Sequence, residues 1–238
     1  MTIYAEHIIG LTAHEAAQPD LPASAKTMRA RYRSILAAGA LQPHAAPRGV
    51  GQDGGTFDLD HLAGDGQYVF LSYGPRYRDL RPAHLCYGFV FDAATLIDAC
   101  GALVGEDLLE DYEDILFDCA EAMDAALPPL PPATDEELAE FAAIFGADPV
   151  MLDFMRGAST SRYSDIDCAV RMGDLSVPGA REAQAMFCAH AAELQARKRV
   201  SGAAAHAALC EGMEILVPGR LSLSLAVGRI EAGELVTP

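Results

Sequence analysis

Apolar residues recur every three to four positions through the middle of the chain, and run together or alternate only towards its two ends. Over 24–38, Met28, Tyr32, Ile35 and Leu36 share one helical face, with Ser24 placed to cap the helix and Gly39 to end it. Two runs rich in aromatic and β-branched residues, YVFLSY at 68–73 and LCYGFVFD at 85–92, read as strands joined by a charged, proline-containing connector. Asp92 is placed to cap a short helix through Ile97, and Leu108, Tyr112, Ile115, Cys119 and Met123 predict a helix over 106–127. LPPLPP is a stiff break, after which Thr134 and Glu137 have the spacing of a capping box. Further helices are predicted to start at Asp148 with Pro149 in the first position, near Ser164, at Pro178 and at Ser201. Strand character returns only as MEILVP (213–218), a turn at Gly219, and LSLSLAVGRI (221–230).

Strands on both sides of a helical block imply one sheet built from distant parts of the chain. The expected architecture is therefore α+β, with a core formed by 1–105 and 206–238 and a helical insertion over 106–205. Between the first helix and the first predicted strand, 42–66 is rich in Gly, Pro, Asp and His, the composition of a long surface loop of the kind that lines sites.

Composition changes this picture in three ways. The first ten residues lack the charged start and long apolar run of an export signal, and no stretch of 18 residues is free of charge, so a cytoplasmic protein with no membrane span is expected. The six cysteines lie 14 to 49 residues apart, which leaves no CxxC pair for zinc or redox exchange and makes buried, reduced thiols the default. The 34 acidic against 17 basic residues give a formal charge of −17, which opposes nonspecific attraction to nucleic acid and to anionic membranes and suits a basic protein partner. Lys26, Arg29, Arg31 and Arg33 are the best candidate for a local basic patch, and they also suit a solvated helix face.

The chemistry-bearing candidates are few. No GxGxxG, P-loop, HExxH or GxSxG motif occurs, and no metal site is expected. Glu214 opens the apolar string of GMEILVPG, so it is either a site carboxylate held at a buried sheet or a solvated residue at a strand mouth. Ser72 ends YVFLS, with Tyr73, Arg76 and Arg78 close behind. A hydroxyl beside guanidinium groups can orient a ribose and bind a pyrophosphate, and the same residues also suit an ordinary strand end with a solvated loop.

Three stretches resemble the ADP-ribosyltransferase superfamily, in particular its bacterial toxin branch and the poly-ADP-ribose polymerase catalytic core. RSILAAGALQP (33–43) is similar to the helix ending in Gly-Leu. YVFLS (68–72) with YGFVFDAATLI (87–97) is similar to the central strand pair, and MEILVPGRLSLSLAVGRI (213–230) to the strand opened by the catalytic Glu with its following turn and strand. The resemblance implies a split sheet carrying a large helical insertion, with NAD as substrate and no metal. It implies that Glu214 holds the nicotinamide ribose and stabilises the ribosyl cation, with Ser72 lining the NAD cleft, beside which Tyr73 and Arg76 are the further cofactor-binding candidates. It also makes His7 a candidate for the family's first motif, although 32 residues separate it from Gly39, and Gly212 stands where the family carries an acidic residue or Gln. The implied function is transfer of ADP-ribose to a protein or nucleic-acid acceptor by a toxin or effector. The alternatives are an NAD hydrolase on the same scaffold and a noncatalytic acidic protein of the immunity or antitoxin kind.

Overall fold

The computed structural model describes residues 2–9, 21–43, 59–74, 86–158, 161–209, 211 and 214–237. The chain forms two compact units, one of Met1–Ala46, Gly64–Leu108 and Glu193–Pro238, the other of Pro47–Ala63 and Leu109–Ala192.

The first unit is mixed α and β. Among the described residues it holds an eight-stranded sheet of β1 (Tyr4–Ile8), β3 (Tyr68–Gly74), β4 (Tyr87–Asp92), β5 (Leu103–Gly105), β6 (Arg199–Val200), β7 (Glu214–Pro218), β9 (Ala226–Glu231) and β10 (Glu234–Val236). Their order is β10-β9-β4-β1-β3-β7-β5-β6, and the neighbours pair antiparallel. The described parts of the strands expected at 68–73, 85–92 and 213–230, namely β3, β4, β7 and β9, thus meet in one sheet. β1, the strand that the sequence pattern did not announce, sits between β3 and β4.

One face of this sheet is a conventional core. Alternation sends Ala5, Val69, Leu71, Phe89, Phe91, Val104, Ile215 and Val217 to the same side, all nearly inaccessible. They pack with residues of α1 (Leu21–Ala38), α3 (Ala93–Cys100) and α9 (Gly202–Ala208). Each Val, Leu, Ile or Phe among them contributes about 1.5–3 kcal/mol when fully buried. α1 ends as expected, with Gly39 at φ +66 and its N–H donating to the carbonyls of Ile35 and Leu36. Its Tyr32 stacks on Phe89 and donates its hydroxyl to Glu231 Oε1 at 2.6 Å, and burial together with that carboxylate pushes the phenol pKa up. Asp92 caps α3, its Oδ1 accepting from the Thr95 N–H at 2.7 Å.

The C-terminal segment departs from the sequence expectation. The run 221–230 is not one strand and does not form a hairpin with 213–218. β8 (Leu221–Ser222) pairs with β2 (Ala40–Leu41) in a separate two-stranded sheet, and the chain then makes a 3-10 turn over Leu223–Leu225 before β9 joins β4. The reason is local. Ser222 Oγ accepts from the Ser224 N–H at 3.2 Å, an alternative to the strand ladder that serines offer readily.

The second unit is helical: α2 (Leu59–Leu62), α4 (Leu109–Ala126), α5 (Asp135–Phe145), α6 (Pro149–Ala158), α7 (Tyr163–Met172) and most of α8 (Ala180–Lys198), which continues into the first unit. Its interior is built from Tyr112, Leu116, Cys119, Ile166, Val170 and Phe187, with Ala180, Ala183 and Ala191 of α8 also buried. The capping box is present as expected: Thr134 Oγ1 accepts from the Glu137 N–H, and Glu137 Oε2 accepts from the Thr134 N–H at 2.8 Å. Among the described residues no helix is long and apolar enough to cross a membrane.

Candidate functional site

The antiparallel register sets Glu6 of β1 opposite Ser72 of β3, and Ser72 opposite Glu214 of β7. Gly105 of β5 and Arg199 of β6 continue the same row. Directly opposed residues share a face with their Cβ atoms about 4.5–5.5 Å apart, so an exposed hydroxyl stands between two carboxylates on the face opposite the core. The two carboxylates differ in access. Glu6 is 1% exposed, whereas the Glu214 side chain retains 17%.

Glu6 is accommodated because β3 ends in glycine: a Cβ on Gly74 would lie 2.5 Å from the Glu6 carboxyl carbon. Glu214 is oriented from its other side. Arg199 donates from Nη1 to Asp65 Oδ1 at 2.5 Å and from Nη2 to Glu214 Oε2 at 3.5 Å. Asp65 comes from the 3-10 turn Asp65–Gln67 that leads into β3, and its side chain and that of Arg199 are only 2% and 3% exposed. The distances decide the division of labour. Arg199 is mainly the counterion of Asp65, and its reach to Glu214 is at the limit of a hydrogen bond. Arg199 Nε is buried with no hydrogen-bond partner, a cost the network bears in order to hold this geometry.

Of the residues singled out in the sequence, the fold brings Ser72 and Glu214 together and sends two others away. His7 is opposite Phe89 and Tyr73 is opposite Ala5, both on the core side by alternation. The His7 Nδ1–H donates to the Phe70 carbonyl at 3.1 Å, which fixes the tautomer because a carbonyl only accepts, and burial holds the imidazole pKa below its ordinary value. Arg76 and Arg78 lie outside the described residues. Lys26, Arg29 and Arg33 are exposed on α1, with Arg29 Nε donating to the Tyr87 hydroxyl at 3.2 Å.

Glu6, Asp65 and Arg199 escaped the sequence reading. Glu6 had a signal, an acid inside the apolar run YAEHII followed much later by a strand ending in glycine. Asp65 sits in a stretch that reads as loop, and Arg199 follows a helix end where basic residues are ordinary. Their significance exists only once distant strands align.

Other chemistry is less well supported. Cys119 Sγ lies 3.9 Å from His190 Nδ1, but burial, with Asp118 adding to it, pushes the thiol pKa up, the opposite of what a nucleophile needs. An open pocket of about 370 Å³ in the helical unit is walled by Glu113, Asp114 and Asp167, and its Arg171 is already held by Asp167 at 2.7 Å and Glu113 at 3.8 Å. It shares no residue with the Glu214 row. Among the described residues no group of three or more His, Cys, Asp or Glu is placed to hold a metal ion.

No family model, no curated protein and no solved structure matches this chain.

Proposed function

We propose that the sheet unit transfers ADP-ribose from NAD on an ADP-ribosyltransferase-like split sheet, with Glu214 as the catalytic carboxylate and Ser72 as the ribose-facing hydroxyl. The observation that carries this reading is the opposition of Ser72 and Glu214 across the β3–β7 ladder, at an accessible strand mouth. Breaking the bond between ribose and nicotinamide sends the bonding electron pair to the nicotinamide, which leaves neutral, and builds positive charge on the ribose. A fixed carboxylate beside the ribose stabilises that charge more than it stabilises the ground state. The acceptor then attacks the ribose carbon and gives up its proton. The Asp65–Arg199 pair contributes by holding the Glu214 carboxylate in one orientation, so that little reorganisation accompanies the reaction.

Glu214→Gln tests this, because the amide keeps the size and the Arg199 contact while removing the charge. The expected outcome, read by mass spectrometry of NAD and its products with a cell lysate as acceptor source, is a loss of turnover on the order of a hundredfold with unchanged folding. ADP-ribosylated acceptor marks a transferase and free ADP-ribose a hydrolase. An active, normally folded Glu214→Gln protein, or a wild-type protein that neither consumes NAD nor melts higher in its presence, would overturn the reading.

A further inference from the structure

The α5–α6 hairpin is built inside out compared with the rest of its unit. Leu138 is the one residue of α5 that is buried, and no side chain described on α6 is fully buried. Ile144 and Phe145 at the end of α5, and Val150, Met151 and Phe154 on α6, are instead exposed, at 74%, 67%, 78%, 48% and 67%. In sequence they flank the short connection 146–148, and Phe145 is braced against Phe141 with ring centroids 4.7 Å apart. Several large apolar side chains left exposed on one short helical hairpin are the kind of surface that marks an interaction site, unlike single apolar residues scattered over a surface.

The surrounding charge says what kind of partner fits. Residues 134–157 contain six acidic residues and one basic residue, Arg156, whose Nη2 is engaged by Asp135 at 2.8 Å. Glu136, Glu140 and Asp153 are exposed beside the apolar set. A second copy of the chain would bring the same acidic rim against itself, and an anionic bilayer would be repelled by it. A helix with an apolar stripe flanked by Lys or Arg matches both features at once, and a two-helix surface accepts a third helix through i, i+4 anchors such as Val150 and Phe154.

We propose that the exposed face of the α5–α6 hairpin is a docking surface for a basic amphipathic helix of a partner protein. The proposal stands independently of the NAD reading. The probe is a fluorescein-labelled 18-residue Leu/Lys amphipathic peptide, followed by anisotropy against the full chain, with a Leu/Glu peptide of the same pattern as control. The expected result is saturable binding of the Leu/Lys peptide alone, weakened by salt. It should fall at least about tenfold in Phe145→Ser/Phe154→Ser and again in Glu136→Lys/Glu140→Lys/Asp153→Lys, both checked for native circular dichroism. No binding, or equal binding to wild type and to both folded variants, would overturn it, since the peptide would then be finding the acidic surface elsewhere or not at all. So would concentration-dependent dimerisation, or capture by phosphatidylserine vesicles, that disappears in the Phe145→Ser/Phe154→Ser protein, because the face would then serve a copy of itself or a membrane.

Discussion

The sheet unit hides charge, and the α5–α6 hairpin of the helical unit displays oil. Glu6, Asp65 and Arg199, the buried charged residues among those described, all belong to the sheet unit. The four most exposed large apolar residues, Val150, Ile144, Phe145 and Phe154, all belong to the hairpin. Each region breaks the ordinary partition of polar outside and apolar inside, in opposite directions, and the two breaches have different physical consequences. A buried charge is costly unless paired, so it persists only where surrounding structure over-determines its position, as the β3–β7 register does for the Glu214 row. An exposed apolar cluster costs little in the folded monomer and is ready to be covered. The first breach is a precision device and the second an adhesive one.

The largest expected effect follows from removing a single charge from the buried network. Arg199→Ala leaves Asp65 buried without its 2.5 Å counterion and should destabilise the protein by about 3–5 kcal/mol, measured by urea unfolding. Because the same loss is created by removing either partner, Asp65→Asn/Arg199→Met should lose less than the sum of the two single substitutions. A cost for Arg199→Ala under about 1 kcal/mol would mean that the pair is solvated and that the two regions do not differ as argued.

A smaller, pH-dependent effect comes from His7. Well above pH 6.5, the ordinary value, the imidazole is neutral in both folded and unfolded chains and contributes no slope. Below it the unfolded chain takes up a proton more readily than the buried ring, whose pKa is lowered, so the unfolded state binds more protons and stability falls as pH falls. His7→Asn, whose amide can still donate to the Phe70 carbonyl, should flatten the loss between pH 7 and pH 5 relative to wild type. Parallel stability curves for the two proteins would show that His7 is not kept neutral by burial.

Local structure was legible in the sequence wherever its cause was local. The strands expected around 68–73 and 85–92, the Asp92 cap, the Gly39 stop and the Thr134–Glu137 box are read from neighbours within four residues, and they are found, the strands as Tyr68–Gly74 and Tyr87–Asp92. The pattern at 221–230 misled because Leu–Ser alternation is compatible with a strand while the Ser222 hydroxyl offers the backbone something else. β1 was missed because YAEHI is short and carries Glu6 and His7, which only a finished sheet can accommodate. The candidate row was half legible. Ser72 and Glu214 could be picked out by their places at strand ends, but Asp65 and Arg199 are 134 residues apart, and nothing in their surroundings foretells that they meet.

The smallest effect tests whether the hairpin is as loosely tied to its unit as its exposed face suggests. Thr134 accepts from the Glu137 N–H, and the Thr134 N–H and hydroxyl both donate to Glu137 Oε2 at 2.8 Å, which holds that carboxyl below its ordinary pKa. The box is therefore intact above pH 4.5 and weakens as pH falls further. Thr134→Ala removes it, at a cost of about 1 kcal/mol. If α5 and α6 open as a separate unit, that cost appears only in their own opening equilibrium: amides over 135–158 exchange about fivefold faster, while the urea midpoint of the whole protein stays where it was. The measurement is hydrogen exchange at pH 7 beside a denaturation curve on the same sample. A midpoint that falls by the full cap energy, with exchange faster everywhere, would show the hairpin unfolding together with the buried core around Tyr112 and Phe187. Its exposed apolar face would then belong to a rigid part of the molecule, one that presents a preformed surface and does not adapt to its partner.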